Sequence, residues 1–255
     1  MAALALSLAV IGGLAASRAS AVTTFAGSSG SLAAKADFEV TSGGQLIVTL
    51  TNTSTADVLV PTDVLTAVYF TMNIADGGYL QPSSALLAPG STVWFGSDNG
   101  GVMGGEWAYA TGLSGAPPLT GTGISSVGLG LFGPKDNFPG ANLQGPVCVD
   151  GLQYGITSAG DNQLTGNAAV TGGNALIRNS VIFTLDILPS GSALTESSIG
   201  NVWFQYGTAL DEPVVPGRPN TETLPPVPEP LTMLSLAAGI IGIGGYLRRM
   251  KKQTA

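Results

Sequence analysis

An all-β fold is what this sequence predicts, and three observations predict it. Apolar and polar residues alternate over short runs such as Ala36–Val40 and Ser180–Leu188, the period of a half-buried strand. Turn-forming residues separate the runs, with 37 Gly and 16 Pro in 255 residues punctuating the chain as they do between strands. Between residues 22 and 223 no stretch carries a convincing amphipathic helical period. Short strands with regular turn signals predict one β-sandwich or jelly-roll-like domain. An N-terminal signal-peptide helix and a C-terminal transmembrane helix are expected to flank it.

Ala36–Val40 alternates, Ser42-Gly43-Gly44 turns it, and Gln45–Asn52 returns as the second arm of a hairpin. Val64–Met72 is rich in apolar β-branched and aromatic residues, so it is expected to be buried on both faces. Thr92–Phe95 follows the Pro89-Gly90 turn, and Glu106–Tyr109 follows the Gly100–Gly105 loop. From Gly112 to Gly145 the chain is heavy in Gly and Pro, and Ile124–Phe132 is its best strand. Leu152–Ile156, Ser180–Leu188 and Ile199–Tyr206 complete the set, and residues from Asp211 onward read as a Pro-punctuated linker. No internal repeat is evident.

The two ends read differently. Residues 2–16 are small and apolar, and Ala19-Ser20-Ala21 fits the small-residue rule for cleavage after Ala21. No Lys or Arg precedes that apolar run, which leaves the start codon open. At the other end, Pro228-Glu229-Pro230 is followed by an uncharged apolar run, Leu231–Leu247, and then by Arg248, Arg249, Lys251 and Lys252. As a helix, about 17 residues at ~1.5 Å each make ~25 Å, near the short end of a bilayer span. The basic cluster belongs on the cytoplasmic side. The expected organisation is therefore signal peptide 1–21, ectodomain 22–210, linker 211–227 and a terminal signal over 228–252.

This ordered arrangement of Pro-Glu-Pro, short span and basic end resembles the PEP-CTERM sorting signal of bacterial surface proteins. The resemblance implies export, with signal peptidase and the secretion machinery as partners. It also implies processing near Pro228–Pro230 by an exosortase, a membrane-embedded cysteine protease. On that basis Pro228, Glu229 and Pro230 are the recognised motif, and Arg248, Arg249, Lys251 and Lys252 are the retention charges. The stretches Val58–Thr66, Glu106-Trp107, Gly128–Pro134, Leu152–Ile156 and Asn201–Pro213 are similar to a subgroup sharing an ectodomain without an assigned activity. The implied location is an inner-membrane-anchored precursor, then the cell surface or an extracellular, biofilm-type matrix.

Charge and composition narrow the chemistry. All 16 acidic residues lie between Asp37 and Glu229, opposed in the exported part by Lys35, Lys135, Arg178 and Arg218, a net charge near −12. Such a surface disfavours nucleic acid, which needs a basic footprint. The chain has no His, which excludes histidine-based triads and His/Cys zinc sites. The single Cys148, between two valines, reads as a buried small hydrophobe rather than a pairing thiol. Gly128–Gly133 matches G-x-G-x-x-G, but Pro134 follows and no helix opens there to hold a pyrophosphate.

Paired carboxylates are the remaining catalytic material, with Glu106, Asp186 and Asp211-Glu212 as candidates. Acids are also ordinary on a secreted surface, and an enzyme is not expected. Asp136, Asp150 and Asp161 sit in loops without a calcium-loop pattern, so no metal or cofactor is expected either. Asn52-Thr53-Ser54 is a formal glycosylation sequon. For saccharide stacking the candidates are Trp107 and Trp203, with Trp94 and the tyrosines behind them, although a strand aromatic more often lies in the core. The function read from the sequence is structural or adhesive, near exopolysaccharide; the alternative is a membrane-tethered carbohydrate-binding module.

Overall fold

A computed structural model describes residues 22–128, 149 and 151–220. The fold is all-β, with fourteen strands in two sheets among the described residues. The strands are β1 (Val22–Ser29), β2 (Leu32–Val40), β3 (Gln45–Asn52), β4 (Leu65–Thr71), β5 (Tyr79–Leu87), β6 (Thr92–Trp94) and β7 (Ala108–Ser114). They continue as β8 (Thr120–Ser125), β9 (Gly155–Thr157), β10 (Leu176–Arg178), β11 (Ser180–Leu188), β12 (Gly200–Tyr206), β13 (Val214–Pro216) and β14 (Arg218–Pro219). The first sheet runs β14-β1-β2-β3-β11-β5. The second runs β13-β12-β4-β9-β10-β6, with β8 also beside β4 and β7 beside β8. All pairings are antiparallel except β9 with β10.

Alternation builds the shared core. Leu32, Ala34, Ala36 and Phe38 of β2 point inward, as do Leu46, Val48 and Leu50 of β3. Val181, Phe183, Leu185 and Ile187 of β11 join them. The second sheet answers with Val68 and Phe70 of β4 and with Val202, Phe204 and Tyr206 of β12. Phe38 and Phe70 meet across the gap edge to face, ring centres 5.1 Å apart, and Phe25 meets Phe38 at 5.8 Å. These ring contacts tie the sheets together beyond simple area burial.

As its composition predicts, β4 is buried on both faces. Its other side carries Ala67 and Tyr69 into a smaller cluster with Ala108, Ala110, Val127 and Val149. A strand in that position must satisfy its polar groups internally. Thr66 does so by donating its hydroxyl to the carbonyl of Gly207 at 2.7 Å.

The 36–52 hairpin, β6, β11 and β12 fall where the sequence places them. Other boundaries move. β7 begins at Ala108, so Glu106 and Trp107 precede it, and the strand expected at Ile124–Phe132 runs from Thr120 to Ser125. Leu152–Tyr154 is a turn into β9 rather than strand. The strands β1, β5 and β10 were not expected. In β5, Pro82 interrupts the apolar pattern, yet the strand lies at a sheet edge and its partner β11 has a register irregularity beside it, between Thr184 and Leu185. Edges and bulges are where a strand tolerates Pro.

The linker reading also needs correction. Residues 214–219 form β13 and β14, which extend both sheets, and the compact unit runs through Asn220. Val215 is fully buried in the main core. Gly27 of β1 makes this possible, because a Cβ there would overlap the carbonyl oxygen of Pro216. The reason 211–219 looks like linker is its Pro and Gly content, which here shapes two short edge strands.

The expected signal peptide, with Ala19 and Ala21, lies outside the described residues, as do Pro228, Glu229, Pro230, the span 231–247 and Arg248, Arg249, Lys251 and Lys252. Cys148, Lys135, Asp136 and Asp150 also lie outside them, with nearly all of the Gly128–Gly133 motif. Among the described residues no helix is long and apolar enough to cross a membrane.

Candidate functional site

The strand register of the first sheet places three polar side chains in one row on its outward face. Asp186 of β11 stands opposite Gln45 of β3 on one side and Gln81 of β5 on the other. Gln45 Nε2 donates to Asp186 Oδ1 at 2.8 Å, which fixes one oxygen of the carboxylate. Two residues before Gln81 on the same face, Tyr79 is 57% exposed and opposes Leu188.

Two loops raise walls around this row. The β2–β3 turn is fastened by Thr41, whose N–H donates to Gln45 O at 2.8 Å and whose hydroxyl accepts from Gln45 N at 3.2 Å. Glu196 Oε1 accepts from Val40 N at 3.2 Å and braces the same turn. The loop after β11 is held by Ser192 N donating to Pro189 O, and by Ala75 N donating to Ala193 O, both at 3.0 Å. Between them lies an open groove of about 570 Å³, lined by Gln45, Gln81, Asp186, Leu188 and the two loops. Its size suits a small-molecule or oligomer site.

A second surface gathers aromatic rings at the other sheet's edge. Trp94 ends β6, the Arg178 guanidinium lies over its ring at 5.8 Å, and Phe95 meets it edge to face at 6.5 Å. Phe95 is 43% exposed and sits at a left-handed φ of 59°. Bulky residues rarely adopt that region. Tyr154, at φ 57°, donates its hydroxyl to Ser97 O at 3.2 Å nearby. Burial, and then the negative charge of Glu106, push the Tyr154 phenol up.

The sequence-predicted residues are dispersed by the fold. Trp107 is fully buried, its ring 5.0 Å from that of Phe183, so it is core and offers no face to a saccharide. Its position between Gly105 and β7 points the indole between the sheets. Trp203 is half-buried on the outward face of β12, opposite Tyr69 and against the smaller apolar cluster. The candidate acids do not meet. Asp186 lies in the groove, Glu106 neighbours Tyr154, and Glu212 Oε2 accepts from the N–H groups of Thr208 and Ala209.

Acidic side chains fasten loops elsewhere too. Asp161 accepts from Val58 N at 2.8 Å, Asp57 from Asn162 N at 3.2 Å, and Asp63 from Leu59 N at 3.0 Å. Buried backbone N–H groups need such partners. Among the described residues no group of three or more Asp, Glu, Cys or His could hold a metal ion. The sequon is closed, because Asn52 is buried and its Nδ2 donates to Ile156 O at 3.0 Å.

Gln81 was missed by sequence reasoning because β5 itself was missed, and Gln45 because its strand was expected without its partner β11; Asp186 was flagged as an acid, and Tyr79 only as one of the tyrosines. The available signal was the alternation of Ser180–Leu188, which places Asp186 on the outward face with Thr184 and Leu188.

Fold and surface together define a class: an all-β protein of two facing sheets, with an open polar groove at the end of one. No family model, curated protein or solved structure matches the chain.

Proposed function

We propose that this chain is an exported bacterial surface or extracellular-matrix protein, sorted by an exosortase, with a structural or adhesive role near exopolysaccharide. The observation that carries the reading is the order Pro228-Glu229-Pro230, apolar Leu231–Leu247, then Arg248, Arg249, Lys251 and Lys252. The precursor is held in the inner membrane by that span and matures to the surface or matrix. Its ectodomain is a non-catalytic β-sandwich of jelly-roll-like type. An acidic domain stitched by carboxylate–backbone bonds, without His or an internal disulfide, suits a static extracellular role. Replacing Pro228–Pro230 by three alanines in a host with the sorting protease tests the reading: unprocessed precursor should accumulate in the membrane fraction, and unaltered maturation rejects it.

The second reading, a membrane-tethered carbohydrate-binding module, is favoured by the groove and by exposed Tyr79 and Phe95. Binding of the full-length chain to an immobilised-glycan array supports it, and a blank array rejects it.

A further inference from the structure

We propose that the groove at the end of the first sheet is a binding site for a neutral saccharide, with Asp186 and Gln81 taking its hydroxyls and Tyr79 its apolar face. The proposal rests on the second reading above and names the site and the ligand chemistry.

Three features converge on that chemistry. First, the row is pre-organised. Gln45 Nε2 holds Asp186 Oδ1 at 2.8 Å, so the carboxylate enters the groove in one orientation with Oδ2 available as an acceptor. A carboxylate accepts from adjacent hydroxyl donors, and a Gln amide both donates and accepts. Side by side on neighbouring strands, Asp186 and Gln81 match a vicinal diol, whose hydroxyls also do both. Second, Tyr79 lies on the same face as Gln81, 57% exposed. A large exposed ring beside polar groups supplies an apolar platform with little side-chain entropy to lose, the counterpart of a pyranose C–H face. Third, the charge is wrong for an anion. Asp186 is in the groove, and Asp37 and Glu39 share the outward face of the sheet, where Lys35 is already engaged by Asp37 at 2.8 Å. A uronate or sulfated sugar meets like charge there.

The walls make the groove a fixed shape rather than a passing gap between loops. Both are fastened to residues outside the groove, one by the Ala75 N–H donating to Ala193 O and the other by the Val40 N–H donating to the Glu196 carboxylate. Pre-organisation of this kind lowers the ordering cost of binding.

The test uses the full-length chain in a sugar-free detergent, titrated calorimetrically with neutral hexasaccharides of glucose, mannose, galactose and N-acetylglucosamine, and with hexagalacturonate. At least one neutral hexamer should bind, and hexagalacturonate at least tenfold more weakly. Gln81→Ala and Tyr79→Ala, both at exposed positions, should each weaken the neutral ligand at least tenfold while leaving the melting temperature unchanged. Asp186→Asn should narrow the neutral-over-anionic preference. If a hexamer binds but all three variants bind it like the parent, the groove is overturned while the module reading stands on another surface. If no neutral hexamer binds at millimolar concentration, both fall.

Discussion

Replacing Trp107 distinguishes a core indole from a surface one. Its side chain is fully buried and packs against Phe183 of the opposite sheet, centroids 5.0 Å apart. A large aromatic buries about 150–250 Å², worth ~4–6 kcal/mol at about 25 cal/mol per Å² as an upper estimate. Truncation to Ala loses most of this and leaves a cavity, and measured Trp or Phe truncations cost about 3–5 kcal/mol. For a domain of this size each kcal/mol lowers Tm by roughly 2–4 °C. Trp107→Ala should therefore melt about 6–20 °C below the parent, and its urea midpoint should fall by roughly 2 M at a slope of about 2 kcal/mol/M.

Trp107→Phe separates ring packing from the indole N–H. Nε1 has no hydrogen-bond partner among the described residues. Losing an unpartnered donor offsets part of the lost volume, so this change should cost only ~1–2 kcal/mol. Thermal and urea unfolding of the three proteins are the assay. A Trp107→Ala protein melting within about 2 °C of the parent would falsify the placement of this side chain in the core.

Further outcomes follow from the same structure. Deleting residues 211–219 from the full chain removes β13, β14 and buried Val215, and should give an insoluble protein or one melting more than about 10 °C lower; a soluble protein with parental melting restores the linker reading. Burial pushes the Asp161 carboxyl above its usual 3.8, against the Val58 N–H and Thr157, which pull it down. The folded state then binds that proton more tightly than the unfolded state, so this group's contribution to stability falls as pH rises from 3.8 through the raised folded value. Asp161→Asn keeps an acceptor for Val58 and should flatten that interval of the stability–pH profile; an unchanged slope contradicts it. Burial pushes the Tyr109 phenol from 10.0 up to about 12. Unfolded chains ionise first there, so stability should fall as pH rises from 10 to 12, and less steeply in Tyr109→Phe. Equal alkaline slopes would remove Tyr109 from the core edge.

The strands legible in the sequence were those whose alternation is uninterrupted. Ser180–Leu188 alternates cleanly and pairs on both sides, and Val64–Met72 is mostly apolar because core clusters press on both of its faces. What stayed hidden depends on partners far along the chain. Tyr79–Leu87 has Pro82 at its middle, and only pairing with β11 makes it a strand. Residues 214–219 are too short to show any period, and their place is set by Gly27, nearly two hundred positions earlier. The candidate acids were visible as residue types, but a carboxylate that fastens a loop and one that faces a ligand have the same letter. Glu212 turned out to cap its own turn, whereas Asp186 is presented by register. Trp107 followed the ordinary rule for an aromatic at a strand, and among the described residues the exposed rings are Tyr79 and Phe95.

Export and cleavage near Pro228–Pro230 together decide where the mature chain is found. Mass spectrometry of the protein recovered from the outer surface and medium of a host with the sorting protease tests both most directly. The predicted product begins at Val22, ends near Pro228–Pro230 and lacks the basic tail. Recovery of the chain from Met1 to Ala255, intact in the soluble cytoplasmic fraction, contradicts it.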